Sequence, residues 1–549
     1  MTTSTSTSTS TSTNTGTSTS TNTGTSTSTG TNGAKRRSTL AAAALAVLAA
    51  ALPLTTAPAA QAAQAVPAAR ASSADTQGRP AWCPDVPGHR VDCTTMHRPL
   101  VADEPRLGGI DVSYAVVRHG RPGPALGTIA LNPGGPGETL IDRAEQVAGA
   151  LQGVLDDYDV LLLDPRGTGR SGRLPCDVTE AEYRWAPRAG QREAVAECAE
   201  ELGPRARGYT SAATADDIDA ARERLGAPKL VLYGMSYGTY LMPVYADRHP
   251  ERVEKMVLSG AYPVAFDSLA RPGAQQVSLT LRRICERSGA CDPDTVVHDL
   301  AAVTERLRTR PLKVTATVDG ERRTVQFTED KLADLMYEPA TRGIGLHPGE
   351  PGLLGALPAA LHAFAVGDEE PLSALVRGEM ESTGTEDQAS FLAVTCNDYA
   401  RTWDPDAPVP ERRRQYRAAL AAANPADFGA FSPEGWAAGQ TDGGDNCLNW
   451  PRRGTARPQP TDLKNLPDVP VLVLSGDLDT NTPEVNSRLS AAQFRHSAFV
   501  SVPNSGHLPE MESTGCALEI SSGFIRTGEV GDTSCLAQVP PVTVVPVPR

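Results

Sequence analysis

From Asp111 onward the chain alternates short apolar runs with segments of helical period, and the apolar runs read as strands. They are VSYAVVRH from Val112, GTIALN from Gly127, YDVLLLD from Tyr158, KLVLYG from Lys229, VEKMVLSG from Val253, VPVLVLSG from Val469 and SAFVSV from Ser497. Several are apolar at odd and even positions alike, which is what a strand buried on both faces needs. Between two of them, ADDIDAARERLG from Ala215 to Gly226 opens on acids, ends on cations and closes on glycine, so it predicts a helix. The alternation predicts an α/β architecture, a mostly parallel, doubly wound sheet with helices on both faces. From about 265 to 462 it breaks into helix formers such as YRAALAAANPADF and Gly/Pro-interrupted runs such as HPGEPGLLGALPAALHAF, which predicts an inserted, mainly helical cap. The chain then divides into a leader (1–65), the first part of the core (66–264), the cap (265–462) and the second part of the core (463–549).

The leader is of two kinds. Thr2 to Gly33 is a Ser/Thr/Asn/Gly repeat without apolar side chains to offset ordering entropy, and no structure is assigned to it. Lys35, Arg36 and Arg37, an Ala/Leu run from Leu40 to Leu54 and the small residues APAAQAAQA follow in the order of a secretory signal cleaved near Ala63 or Ala65. The apolar run is short for a membrane span and no cysteine follows it, so the expectation is a released, extracellular protein without a stable membrane anchor. All ten cysteines lie beyond this segment, none in a CxxC or other metal-like spacing, and an even number in an exported chain points to disulfides. Pairing by sequence neighbour is the simplest arrangement. Net charge is −14, and −17 once the three cations of the signal are removed, which argues against a nucleic-acid partner.

The chemistry starts at LVLYGMSYGTYL, from Leu230 to Leu241, where a strand breaks into Gly-Met-Ser-Tyr-Gly. Gly234 and Gly238 flank Ser236 at the spacing of a nucleophile elbow, with the neighbouring backbone too close for a Cβ at either glycine. A serine hydroxyl needs a base, and the base needs a carboxylate to fix its tautomer, in the chain order Ser, Asp or Glu, His. DLDTNTP follows one late strand and offers Asp477 and Asp479; PNSGHLPE follows the next and offers His507. All three positions fall at C-terminal strand ends, the edge on which the elbow opens. His496 precedes its strand and sits at the wrong end. An oxyanion requires two backbone N–H donors, and these are sought at Tyr237 and in LNPGGPGE, where Gly134 and Gly135 compete and Gly135 is preferred. LLLDPRGTGRSG from Leu161 shapes the same edge, with Arg166 in a structural role. No phosphate-binding loop accompanies these glycines, and neither a metal nor an organic cofactor is indicated.

Taken together, NPGGPG, DPRGTGRSG, YGMSYGTYL, GDLDTNTP and SGHL resemble the secreted tripeptidyl aminopeptidases of actinomycete type, relatives of prolyl iminopeptidase within the α/β-hydrolases, over about Asp111 to Cys535. The resemblance implies an α/β-hydrolase fold and a catalytic triad of Ser236, Asp479 (the acid of an Asp-x-x-Thr-Pro motif) and His507; Asp477 stays open as the alternative acid. It also implies hydrolysis of short peptides near a free N-terminus through an acyl-enzyme. The substrate ammonium would be held by cap acids, for which Glu379, Glu381 and Asp398 are available. Pro243, in the helix after the elbow, removes a backbone bond to Thr239 and predicts a kink. A carboxylic-ester hydrolase on the same scaffold, and a non-catalytic binding protein, are the rival readings. Oligomeric state is not encoded in these motifs.

Overall fold

A computed structural model describes residues 79–548 except 319, 383, 385 and 453–462. The segment expected to form the leader and secretory signal therefore lies outside the described residues. Eight strands form the main sheet: β1 (Val91–Pro99), β2 (Gly109–Val117), β3 (Gly127–Asn132), β4 (Tyr158–Leu163), β5 (Leu230–Met235), β6 (Val253–Ser259), β9 (Val471–Gly476) and β10 (Ser497–Val502). A hairpin, β7 (Leu312–Val318) and β8 (Glu321–Phe327), stands apart from them. The sheet order is β1-β2-β4-β3-β5-β6-β9-β10, antiparallel where β1 meets β2 and β2 meets β4 and parallel elsewhere.

The doubly apolar strands do what their pattern requires. Leu230 and Leu232 of β5 pack with Leu161 and Leu163 of β4 and Val471 and Val473 of β9 on one face, under the helices Ser211–Leu225 and Gly238–Arg248. Val231 and Tyr233 pack with Val160, Leu162, Leu472 and Leu474 on the other, against Ile520 and Phe524 of the helix Cys516–Thr527. The predicted Ala215–Gly226 helix begins earlier, at Ser211, where the Thr210 side chain accepts from the Ala213 N–H; Gly226 ends it at φ 68°, a left-handed position suited to glycine. The helix Gly238–Arg248 runs through Pro243 without ending.

Two features depart from the sequence reading. β1 was not among the predicted strands, and the inserted segment between β6 and β9 carries the β7/β8 hairpin among its helices. That segment is bound into the core: Val277, Leu281, Leu332, Trp436 and Leu478 share one buried cluster.

All five disulfides join sequence neighbours: Cys83–Cys93, Cys176–Cys198, Cys285–Cys291, Cys396–Cys447 and Cys516–Cys535. Among the described residues no helix is long and apolar enough to cross a membrane.

Arg166 is a buried brace. Its guanidinium makes two 2.8 Å bonds to Asp217, on the helix Ser211–Leu225, and donates to the carbonyls of Leu100 and Gly208 at 2.7 and 2.9 Å. Both side chains are nearly inaccessible, at 3% and 0%, so removing the cation strands a buried carboxylate with Arg98 as its remaining cation. Arg166→Met is therefore expected to lower the unfolding free energy by about 3–5 kcal/mol in chemical denaturation.

Candidate active site

The elbow is built as its glycines require. A Cβ on Gly234 would run into the backbone of Gly238, and one on Gly238 into the Asn132 carbonyl, so β3, β5 and the next helix meet only because both positions lack a side chain. Ser236 itself sits at φ 51°, a strained conformation for a side-chain-bearing residue, and its N–H donates to the Ser259 carbonyl at the end of β6. The turn holds the hydroxyl above the sheet edge.

His507, in the loop after β10, places Nε2 2.8 Å from Ser236 Oγ. Its Nδ1 lies 3.0 Å from Asp479 Oδ2, in the loop after β9. Asp479 is 0% and His507 3% exposed. Burial by itself depresses an imidazole pKa, but the Asp479 charge and hydrogen bond outweigh it and hold His507 above its ordinary value. Burial pushes Asp479 upward, and the facing His507 with the Thr482 donors more than reverses this, leaving its pKa below the usual carboxylate value. Such a set can move a proton from the serine hydroxyl to Nε2 while the carboxylate stays ionised.

Asp477 faces elsewhere. Its carboxylate meets Arg287 of the helix Arg271–Ser288 and accepts the Asn504 N–H at 2.8 Å, and its carbonyl takes bonds from Gln276 and Arg283 of the same helix. The inserted segment thus grips the loop that carries Asp479. It holds the same loop at Thr480, whose hydroxyl donates to the Met336 and Tyr337 carbonyls, and it reaches the histidine loop, where His507 N–H donates to the Thr341 carbonyl. Glu510, three residues past the histidine, braces the loop from below by accepting from Tyr233 and Ser259 at 2.8 and 2.6 Å. His496 is on the surface beside Asp468.

Of the two glycines near the oxyanion position, Gly134 has its N–H taken by the Asn132 side chain at 3.2 Å, whereas Gly135 lines both cavities that Ser236 lines. Tyr237 opens the helix Gly238–Arg248, and its phenol bonds Ser211 at 2.7 Å, away from the serine.

Two cavities flank Ser236. The smaller is walled by Tyr262, Phe266, Tyr337 and Tyr399. The larger, about 350 Å³, holds His507 together with Glu138, Glu180, Glu338, Glu386 and Asp442, and with Arg143, Arg184 and Arg342. Arg143 pairs with Glu138 and Arg342 with Glu338. Burial raises Glu338, but Arg342 and Arg184 prevail and keep its pKa low. Glu386 is pushed well above the ordinary range by burial and by Glu338, Glu180 and Glu138. Burial lifts Asp442, on the wall of both cavities, to about 6 against the pull of Arg401. Among the described residues no cation lies within salt-bridge distance of the Glu386 or Asp442 carboxylate.

The acids named from sequence are not those found here. Asp398 is buried and accepts from Ser211 N–H and hydroxyl, both at 2.6 Å; Glu381 is exposed and accepts from Thr317 N–H; Glu379 does not line the Ser236 cavities. Glu338, Glu386 and Asp442 carried no motif, and only the fold of the inserted segment assembles them.

The sheet order, the elbow and the loops that meet it define an α/β-hydrolase. Comparison with known proteins agrees: residues 127–291 match the family described as alpha/beta hydrolase fold, and residues 432–535 the one described as TAP-like protein. Serine protease Hip1 of Mycobacterium tuberculosis is 25% identical over 81% of this chain and 86% of that protein. Carboxylesterase B of the same organism is 26% identical over 80% and 85%, and tripeptidyl aminopeptidase of Streptomyces lividans 30% identical over 34% and 37%. The chain is a serine hydrolase of α/β-hydrolase fold whose residues 432–535 are similar to the TAP-like family.

Proposed function

We propose that this chain is a secreted serine exopeptidase of the aminopeptidase type. Ser236 attacks the scissile carbonyl to form an acyl-enzyme, with His507 as base, Asp479 as its orienting carboxylate, and the Gly135 and Tyr237 N–H groups as oxyanion donors. The peptidase reading takes support from the relatives named serine protease and tripeptidyl aminopeptidase; the five disulfides favour an oxidising compartment. The observation that carries the exopeptidase reading is the pair of acids, Glu386 and Asp442, that line the Ser236 cavity with no cation within salt-bridge distance among the described residues. A substrate ammonium supplies one, and desolvated charge pairing of this kind rewards a free N-terminus over a blocked one.

The test compares chromogenic tripeptides with free and acetylated N-termini. The free form is expected to be cleaved with at least about 100-fold higher kcat/KM, a difference of about 2.7 kcal/mol, and Asp442→Asn to erase most of that preference through KM. Asp442 is ionised above about pH 6, while a peptide α-amine is protonated below about pH 8. KM for free peptides should therefore be lowest between those values and rise as pH falls through 6, with Asp442→Asn flattening the acidic limb. Equal cleavage of free and blocked peptides, or turnover of simple esters alone, overturns the aminopeptidase reading in favour of an esterase.

A further inference from the structure

A fourth side chain touches two of the three converging groups. The Thr482 hydroxyl lies 2.5 Å from Asp479 Oδ2 and 3.1 Å from His507 Nδ1, and Nδ1 is itself 3.0 Å from the same Oδ2. Thr482 is 3% exposed, so no bulk water competes for these contacts. The local sequence produces the arrangement. Asp479 Oδ1 accepts the N–H groups of Asn481 and Thr482 at 2.9 and 3.1 Å, a side-chain-to-backbone turn that folds the third residue back onto the carboxylate. The residue three positions on, followed here by Pro483 and the helix Glu484–Ala491, thereby brings its Oγ to Oδ2.

Proton bookkeeping in this triangle leaves one solution. Every neighbour of Asp479 in this turn donates to it, and an ionised carboxylate only accepts, so the single hydroxyl hydrogen of Thr482 points at Oδ2. The Thr482 oxygen then turns its lone pairs toward the ring. A bare Nδ1 would face two acceptors, lone pair against lone pair, whereas an Nδ1–H satisfies both. We infer that Thr482 is a positioning residue of the site, selecting the His507 tautomer that carries hydrogen on Nδ1 and leaves Nε2 bare toward Ser236. The inference rests on the catalytic reading above. In that reaction the Ser236 O–H bond breaks, its proton goes to Nε2, and Oγ bonds the substrate carbonyl carbon. The imidazolium so formed keeps Nδ1–H between the carboxylate and the Thr482 lone pair, both already in place, so little reorganises as charge develops.

The test measures Thr482→Val, which keeps shape and removes the hydroxyl, beside Thr482→Ser, which restores it. Thr482→Val is expected to lower kcat 10- to 100-fold with KM within twofold of the parent, and Thr482→Ser to stay within about threefold in both, on the general acid–base scale. Nitrogen-15 NMR of the unmutated protein is expected to show His507 protonated at Nδ1 and bare at Nε2 in its neutral form, a readout that survives if Thr482→Val fails to fold. A bare Nδ1, equal kcat losses in the two variants, or a folded Thr482→Val with parental kcat overturns the inference. Ser236→Ala is run alongside: full activity there overturns the catalytic reading and this role with it, whereas an inactive Ser236→Ala beside a parental Thr482→Val overturns the role of Thr482 alone.

Discussion

Ser236→Ala is expected to reduce kcat by about 10⁴- to 10⁶-fold on any substrate the enzyme turns over, the scale on which loss of an activated nucleophile is felt. The loss follows from the division of labour at the elbow. His507 sits 2.8 Å from the serine oxygen, and without that oxygen the ring has no bound nucleophile to activate. Residual turnover would come from the oxyanion donors and from binding, with water in place of the hydroxyl. The Ser236 N–H bond to Ser259 uses backbone atoms that alanine keeps, so the variant should melt near the parent temperature and bind peptide with an unchanged KM. Steady-state kinetics at an enzyme concentration set by absorbance, and a thermal melt on the same preparation, check both halves of the expectation.

Asp479→Asn is expected to cost about 10⁴-fold in kcat, the scale of losing the orienting carboxylate of such a triad. An amide that turns its NH2 toward Nδ1 makes that nitrogen an acceptor and drives the ring proton to Nε2, the one atom that must be bare to receive the serine proton. The neighbouring acid makes the control. Asp477→Asn loosens the Arg287 and Asn504 contacts that seat the loop but leaves the ring and its partner alone, so its cost should stay within about tenfold. Similar losses in the two variants would dismantle the assignment of Asp479 as the partner of the base.

The strands that position these residues were legible because their signal is dense. GTIALN and SAFVSV coincide with β3 and β10 residue for residue, and YDVLLLD and KLVLYG each run one residue beyond a strand end. β1 was not legible. VDCTTMHRP buries only Val91 and Met96 at the sheet edge, and a strand half exposed to solvent leaves a thin apolar pattern. The hairpin was missed for a different reason. Lys313–Gln326 alternates around an Asp-Gly pair, a strong hairpin signal in the sequence, but it lies among helix formers that carry the stronger pattern of the insertion.

For the candidate site, Ser236, Asp479 and His507 each follow a strand end, so the strand pattern marks them as candidates. Asp477 and Asp479 could not be separated by pattern, since both lie on one loop; what separates them is Arg287, 190 residues away in sequence. Glu338, Glu386 and Asp442 come from three separate parts of the insertion, and no local spacing relates residues whose only connection is a shared cavity wall. Asp398 read as an available acid because nothing in its sequence reveals Ser211, 187 positions earlier, as its partner.

In the proposed mechanism the base and its carboxylate make the Ser236 oxygen the nucleophile of the enzyme. Its most direct measurement is intact-mass and peptide-level mass spectrometry after exposure to a fluorophosphonate. The prediction is one adduct per chain, on the peptide that contains Ser236, formed in step with loss of activity and absent from Ser236→Ala. An adduct on a different residue that accompanies inactivation, or full activity after Ser236 has been stoichiometrically labelled, would contradict it.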